Sequence, residues 1–178
     1  MYAYVYIRHF HKEYRNGKND IFPYDPRILP DKAGEIPLLT RQLLAAYGPP
    51  KAIFCSPYER TRQTAALLAP LDVPIIVDRN LSEYIGKHHE KRLNDNSIRG
   101  RTAKYHPPAA ETSSMLDNRI EQHITTREKL SEDVYWFITH GVIVRKTLEY
   151  NNVAYYPKPL EAVVVDPNGV IPPFSLLT

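Results

Sequence analysis

The sequence predicts an α/β protein, built as a three-layer sandwich with a mostly parallel central sheet, helices on both faces and a small cap insertion. Short runs of β-branched and aromatic residues alternate with segments whose apolar residues recur at helical spacing. The first run, residues 2–7, is apolar almost throughout, as in strands buried on both faces of a parallel sheet. With 178 residues the chain has the usual length of one domain, and we expect a single domain over residues 1–178.

Five strands and three helices are predicted in alternation along the chain. In the first helix Leu39, Leu43 and Tyr47 recur at helical spacing, and Gly48 supplies the stop. The strands are expected at residues 2–7, 51–55, 74–77, 134–139 and 162–165, and the helices at residues 38–47, 58–68 and 142–150.

Two segments lack a clear period. Residues 11–37 are polar and rich in proline and aspartate, which predicts a long functional loop. Residues 81–133 mix charges and histidines and contain one helical candidate, at residues 113–129. We interpret residues 81–133 as a cap-like insertion over the sheet that belongs to the same domain, because no change in composition marks a second one.

Charge and cysteine content limit the classes of protein to which this sequence can belong. The net charge of +3, from 23 basic and 20 acidic residues, favours anionic ligands but disfavours nucleic acid as a partner. Cys55 is the single cysteine, so no internal disulfide can form, and residues 1–8 read as a strand rather than a signal peptide. No apolar run approaches the ~20 residues that span a bilayer. We therefore expect a soluble, cytoplasmic protein with no membrane partner.

Histidines and arginines stand at the carboxyl ends of three predicted strands. Arg8 and His9 end the first strand, residues 56–60 join the second strand to its helix, and His140 follows the strand at residues 134–139. Ligands of open α/β sheets bind beyond the carboxyl ends of the strands. Two imidazoles beside arginines would make a site there for an anion and a nucleophile.

These residues belong to four motifs that follow one another along the chain. The motifs are Arg8-His9, Ser56-Pro57-Tyr58-Glu59-Arg60-Thr61-Arg62-Gln63-Thr64-Ala65, Leu81-Ser82-Glu83 followed by Gly86, and Thr139-His140-Gly141-Val142. Each motif alone is weak. In this order, and spread over nearly the whole chain, the set resembles the histidine phosphatase (phosphoglycerate-mutase-like) superfamily, phosphatase branch.

The resemblance implies a metal-independent phosphomonoester hydrolase whose nucleophile, His9, is transiently phosphorylated. It further implies that Arg8, Arg60 and His140 bind the phosphoryl oxygens, and that Glu83 protonates the leaving oxygen, with His140 also counted as catalytic. A neutral imidazole is a competent nucleophile near pH 7, and the fork of arginine donates in pairs to oxyanions. No cofactor or metal is then required, and the substrate is a phosphorylated small molecule or a phosphoprotein.

Further candidate residues follow from helix geometry and from the resemblance. Arg60 and Arg62 differ by roughly 200° around a helix, so they cannot both face the site, and Arg60 in the first turn is preferred. The family often supplies another polar residue from the loop after the nucleophile, and Arg15 and Asn16 are both candidates for phosphate binding. Glu90 is the candidate for the family's second acidic residue.

Phe10 departs from the family pattern, because family members usually have glycine directly after the nucleophile. A phenyl ring at this position must turn away from the phosphate or narrow the pocket. Two alternatives therefore stay open: a phosphomutase of the same superfamily, and a catalytically idle phosphate-binding or protein-interaction module.

Two other kinds of site are disfavoured by the sequence. A metal site built from His9 and His11 with His88 and His89 has no carboxylate-rich or cysteine partner at ligand spacing. Ser56 lies near the expected site, but no Gly-x-Ser-x-Gly elbow surrounds it, which argues against a serine hydrolase.

Overall fold

The computed structural model describes residues 2–11, 28–29, 34–86, 110–166 and 169–174. Its strands are β1 (Ala3–Arg8), β2 (Ala52–Cys55), β3 (Ile75–Val77), β4 (Val134–Thr139), β5 (Ala162–Asp166) and β6 (Gly169–Phe174). Its helices are α1 (Ile36–Tyr47), α2 (Glu59–Leu68), α3 (Ser113–Arg127) and α4 (Gly141–Tyr150), with a 3-10 turn at Arg79–Leu81. The strands form one sheet in the order β3-β2-β4-β1-β5-β6.

The sheet is mostly parallel, as predicted. The strands β3, β2, β4 and β1 pair in parallel, whereas β5 pairs antiparallel with β1, and β6 antiparallel with β5. All five predicted strands are present. The sixth strand, β6, was not predicted, because Pro172 and Pro173 argue against a strand. Its position at the edge of the sheet tolerates residues that lack an N–H group.

The two faces of β1 belong to different halves of the hydrophobic core, because successive side chains of a strand point to opposite faces. Val5 and Ile7 pack with Trp136 and with apolar residues of α1 and α2. Tyr4 and Tyr6 pack with apolar residues of α3 and α4 on the other face. Helices therefore cover both faces of the sheet, which confirms the predicted three-layer sandwich.

Local chemistry explains where α1 begins and ends. The helix starts two residues before its predicted start. Pro37 lies in its first turn, where N–H groups have no acceptor within the helix, so the N–H that proline lacks costs no helical hydrogen bond. At the other end Gly48 has a φ of 78°, and its N–H donates to the carbonyl of Leu44 at 2.9 Å. Glycine adopts this left-handed conformation without the steric penalty of a side chain.

The helix α3 lies within residues 81–133, which the sequence predicts to be a cap-like insertion over the sheet. Its residues Leu116, Ile120 and Ile124 are buried in the same core cluster as Tyr6. Thr112 caps the helix by accepting a hydrogen bond from the Met115 N–H. The helix is thus part of the layer that covers the sheet. Residues 87–109, which make up much of the predicted insertion, lie outside the described residues.

The register of the sheet brings three strand ends to the same edge. Arg8 at the end of β1 pairs with Thr139 at the end of β4, and Cys55 at the end of β2 pairs with Ile138. The residues that follow each strand therefore leave the sheet side by side. Among the described residues, no helix is both long enough and apolar enough to cross a membrane.

Candidate active site

His9 follows β1 directly and is almost completely buried, with 4% of its surface exposed. Its backbone N–H donates to the carbonyl of Thr139 at 2.8 Å, which fixes the residue beside the end of β4. The Nδ1 atom lies 2.6 Å from the carbonyl oxygen of Phe10. Because a carbonyl oxygen only accepts, Nδ1 carries the proton, and Nε2 of the neutral ring carries the lone pair of a nucleophile.

Phe10 turns away from this position and packs into the core. Its side chain is fully buried in the cluster that also contains Ile36 and Leu39. Its backbone N–H donates to Thr64 Oγ1 at 3.0 Å, so α2 anchors the turn after the histidine. The ring therefore turns into the core, which is one of the two outcomes expected for a side chain larger than glycine at this position.

His140 lies opposite His9 at the end of β4. It is fully buried, and the centres of the two imidazole rings are 5.3 Å apart. Arg60 from the first turn of α2 places Nη2 at 3.0 Å from His140 Nδ1, and its guanidinium lies 4.5 Å from the centre of the Tyr58 ring. Glu83 Oε2 lies 3.5 Å from Arg60 Nη2 and 3.4 Å from His140 Nδ1. The structure thus brings four of the predicted site residues together.

The contacts of His140 with Arg60 and Ser56 indicate which of its ring nitrogens carries the proton. A guanidinium can only donate, so the short contact from Arg60 makes His140 Nδ1 an acceptor and places the ring proton on Nε2. That proton points to Ser56 Oγ, which lies 2.9 Å away and accepts. Protonation of Nδ1 would leave this bond unchanged and would turn Nδ1 into a donor beside Glu83. Since His140 offers Ser56 a proton rather than a lone pair, it cannot act as the base that would make Ser56 a nucleophile.

Arg8 is half-buried and is held by the loop that precedes β5. Its Nη1 donates to the carbonyl of Pro157 at 2.8 Å, and its guanidinium lies 5.2 Å from the centre of the Tyr156 ring. Within the described structure its Nε is buried and has no hydrogen-bond acceptor. The contacts of Arg8 are thus with the loop before β5, and its predicted role in phosphate binding stays a prediction.

Tyr156 also contacts the start of α4. A Cβ atom on Gly141 would lie only 2.6 Å from the Tyr156 hydroxyl oxygen, so glycine is what permits this close approach. Sequence reasoning missed Ser56 as a partner of His140, and it missed Tyr156 and Pro157 entirely. The motif around Ser56 placed this residue near the site but did not indicate its partner, and the loop before β5 carries no motif.

The other candidate residues are placed differently. Arg62 is exposed, on the side of α2 away from the buried Arg60, as the helical angle between them requires. The predicted phosphate-binding residues Arg15 and Asn16 lie outside the described residues, as does Glu90, and so do His88 and His89. In the part of the chain that the structure describes, no group of three or more histidine, cysteine, aspartate or glutamate residues is arranged to hold a metal ion.

Two helices point their amino ends at this edge of the sheet. The helix α2 begins at Glu59, just before Arg60, and α4 begins at Gly141, just after His140. Backbone N–H groups in the first turn of a helix have no helical acceptor and, with the helix dipole, favour a negative charge. The arrangement of Arg60, two imidazoles and two helix ends can therefore hold a tetrahedral oxyanion.

The fold is shared with phosphoglycerate mutase-like proteins. The protein TTHB049 from Thermus thermophilus is 22% identical, with a TM-score of 0.68 over 98% of this chain and 99% of that one. A phosphoglycerate mutase from the same organism is also 22% identical, with a TM-score of 0.69 over the same shares of the two chains. A protein proposed to be an alpha-ribazole-5'-P phosphatase from Escherichia coli is 14% identical, with a TM-score of 0.65, covering 95% and 93%.

The sequence defines the family. The family model of the histidine phosphatase superfamily (branch 1) matches residues 38–155, which is more than half of the chain, and the chain belongs to this superfamily. The matched stretch contains Arg60, Glu83 and His140, while His9 precedes it. No curated protein matches the sequence.

Proposed function

We propose that this protein is a metal-independent phosphomonoester hydrolase that acts through a phosphohistidine on His9. The observation that carries the proposal is the orientation of the His9 ring. His9 Nδ1 donates its proton to the Phe10 carbonyl oxygen, 2.6 Å from the nitrogen, so the nucleophilic lone pair lies on Nε2 without any need for a separate base. The second imidazole, 5.3 Å away, lies within reach of a phosphoryl group bound to the first.

The cationic groups around His9 would stabilise the transferring phosphoryl group. Arg8 keeps a buried Nε donor, and Arg60 is held with 3% of its surface exposed next to His140. Charge stabilisation by donors that are already positioned is usually the main contribution to catalysis of phosphoryl transfer.

Glu83 would supply the proton for the leaving group. Its carboxylate lies 3.5 Å from Arg60 and has 26% of its side chain exposed, so it borders the opening of the site. A bound phosphoryl group brings negative charge beside Glu83 and favours its protonated form. We therefore assign Glu83 as the general acid.

The reaction then proceeds in two displacements. In the first, the lone pair of His9 Nε2 forms a bond to phosphorus, the bond to the leaving oxygen breaks, and Glu83 transfers its proton to that oxygen. In the second, Glu83 takes a proton from water, whose oxygen forms a bond to phosphorus as the bond to Nε2 breaks. Inorganic phosphate is released, and His9 returns to its neutral form.

Hydrolysis of p-nitrophenyl phosphate by the purified protein tests the proposal. We expect phosphate release in the presence of a chelator and inhibition by vanadate, a tetrahedral oxyanion. An inert protein would support the idle binding module, and activity that is lost with the chelator and restored by zinc would support a metal enzyme. Transfer of phosphate between substrate positions that depends on a bisphosphorylated primer would indicate a mutase.

The leaving group should reveal the role of Glu83. We expect Glu83→Gln to slow the hydrolysis of alkyl phosphates far more than that of p-nitrophenyl phosphate, because nitrophenolate departs without a proton. Glu59→Gln is the control, since Glu59 lies on the neighbouring helix and is assigned no role in proton transfer. An equal loss with both substrates would rule out Glu83 as the acid.

A further inference from the structure

The segment that carries Glu83 has little secondary structure of its own. After the 3-10 turn at Arg79–Leu81, residues 82–86 belong to no helix or strand. We call residues 80–85 the acid segment, because Glu83 lies within it. A side chain on such a segment is positioned by the elements that its backbone groups contact. The position of Glu83 therefore depends on what holds the acid segment.

Arg119 of α3 holds two carbonyl groups of the acid segment. Its Nη1 donates to the carbonyl of Asn80 at 2.6 Å and to the carbonyl of Ser82 at 2.9 Å. The carbonyl of Leu81, between them, accepts from Thr139 Oγ1 at 2.7 Å. Three successive carbonyl groups are thus held, two by α3 and one by the end of β4, and the last of them belongs to the residue just before the proposed acid.

Glu111 holds Arg119 in turn. Its carboxylate accepts from Arg119 Nε at 2.8 Å and from Nη2 at 2.7 Å, so the two side chains form a bidentate pair. Only 10% of the Glu111 side chain and 16% of the Arg119 side chain are exposed, so water competes little for this pair. The backbone N–H of Glu111 also donates to the Ile85 carbonyl at 2.8 Å. The two residues therefore contact the acid segment on both sides of Glu83.

The two carboxylate oxygens of Glu83 have different surroundings. Oε1 accepts from the Tyr84 N–H at 3.1 Å, whereas Oε2 lies 3.4 Å from His140 Nδ1 and 3.5 Å from Arg60 Nη2. A proton passes to the leaving oxygen only within hydrogen-bond reach, about 2.6–3.2 Å. A misplacement of about 1 Å can cost a factor of about 10² in rate. A shift of the acid segment would thus impair proton transfer without moving His9, which follows a different element, β1.

We propose that Arg119, held by Glu111, is a positioning residue for the general acid Glu83. The inference rests on the proposed function, because it concerns the proton that Glu83 gives to the leaving oxygen. Loss of Arg119 slows the reaction of substrates whose leaving oxygen needs a proton and spares those whose leaving group departs without one. An ion pair that only stabilised the fold would not distinguish one leaving group from another.

Two aryl phosphates that differ by one nitro group test the inference. Phenolate, which like the tyrosine side chain has a pKa of about 10, needs a proton to depart, whereas nitrophenolate does not. The measured quantity is kcat/KM for phenyl phosphate divided by kcat/KM for p-nitrophenyl phosphate. Because both values come from one preparation, this ratio does not depend on the folded fraction of a variant. We expect Arg119→Met to lower the ratio by about 10-fold.

A conservative variant and a control accompany this measurement. Arg119→Lys keeps the charge but loses the fork that reaches both carbonyl groups and Glu111, so it should lower the ratio in the same direction by a smaller factor. It supplies the measurement if Arg119→Met does not fold. Arg145→Met removes an arginine whose pair with Glu149 is exposed on α4, and its ratio should equal that of the wild type.

A double variant tests whether Arg119 acts through Glu83. In the Glu83→Gln background Arg119→Met should lower the ratio no further, because residues that act as a unit are not additive. An unchanged ratio in both Arg119 variants, or losses that multiply in the double variant, would overturn this inference and leave the proposed function standing. An unchanged ratio in Glu83→Gln, or an inert wild type, would overturn the proposed function and the inference with it.

Discussion

Two buried clusters of this protein have the same chemical inventory but different positions. Each combines a histidine, an arginine, an acidic residue and a tyrosine. The site cluster lies at the ends of the strands, whereas the core cluster lies under α3, against the middle of β1. The site cluster is His140, Arg60, Glu83 and Tyr58, and the core cluster is His123, Arg127, Asp78 and Tyr6.

The side chains of the core cluster hydrogen-bond to one another, although Arg127 Nε is buried without a partner in the described structure. Arg127 Nη1 donates to the Tyr6 hydroxyl at 3.1 Å, and that hydroxyl, having accepted, donates to His123 Nε2 at 2.9 Å. Burial raises the pKa of Tyr6 to about 12, so the hydroxyl keeps its proton at ordinary pH. The histidine and arginine here have 2% and 6% of their surfaces exposed.

Position relative to the edge of the sheet, and not residue composition, therefore distinguishes the proposed catalytic cluster from the structural one. The acidic side chains of the two clusters are similarly exposed, at 26% for Glu83 and 23% for Asp78, but only the site cluster is adjoined by His9 and two helix ends at the edge of the sheet. Damage to the site cluster should abolish turnover and leave the fold intact. Damage to the core cluster should lower the free energy of unfolding and change the turnover of the folded protein little.

The largest effect is expected from His9→Ala. Loss of the nucleophile should reduce hydrolysis of p-nitrophenyl phosphate by a factor on the order of 10⁴, because no neighbouring group replaces its lone pair. Circular dichroism should remain that of the wild type. His11→Ala, two residues further along, is the matched control and should retain activity; an unchanged rate in His9→Ala would assign the nucleophile elsewhere.

Arg60→Lys should have the next largest effect. The substitution keeps the charge but loses the planar fork that contacts His140 and would bind two phosphoryl oxygens, so kcat/KM should fall by about 10²–10³. Arg62→Lys, on the exposed side of the same helix, should have a rate close to that of the wild type. Equal effects of the two substitutions would contradict the placement of Arg60 in the phosphate site.

Tyr6→Phe should separate stability from activity. Removal of the hydroxyl leaves buried nitrogens of Arg127 and His123 without this partner, which should lower the free energy of unfolding by about 1–3 kcal/mol in urea titrations. The kcat of the folded fraction should change little. Tyr2→Phe, at a half-buried tyrosine on the same face of β1, is the control, and a large loss of kcat in Tyr6→Phe would make the core cluster part of catalysis.

The smallest effect concerns Cys55, at the end of β2 next to Ser56. Burial raises its pKa from 9.0 to about 11, so the folded state holds the proton more tightly than the unfolded state. This stabilisation is fully present below pH 9 and is lost as the pH rises towards 11, by on the order of 2 kcal/mol. Urea titrations should show that decline in the wild type and less of it in Cys55→Ala; identical slopes would contradict the shift.

The sequence predicted what depends on local pattern. Apolar periodicity located the strand ends and helix starts, and these placed His9, Arg60 and His140 at one edge of the sheet. The angle between neighbouring helix positions showed that Arg60 and Arg62 point to opposite sides of their helix. The role of Ser56 depends on which nitrogen of His140 faces Arg60, which only the distance between helix and strand reveals. Tyr156 reaches Arg8 through packing of a loop that has no motif of its own.

Two other features were predicted only in part, for physical reasons. The residues Leu116, Ile120 and Ile124 recur every four positions in the helical candidate at residues 113–129, but the polar residues between them do not reveal which surface the helix covers. For Phe10 the residue type left two outcomes open, a ring that turns away or one that narrows the pocket. Its backbone turn directs the ring into the core, a direction that the residue type alone does not contain.

Trapping of the covalent intermediate tests the central claim most directly. Enzyme mixed with a substrate carrying a labelled phosphoryl group and quenched rapidly in alkali should retain label, because phosphohistidine is stable in base and labile in acid. The account predicts label on the wild type, release of that label by acid, and no label on His9→Ala. Label that survives acid, or that persists on His9→Ala, would mean that another residue is the nucleophile and would contradict the mechanism.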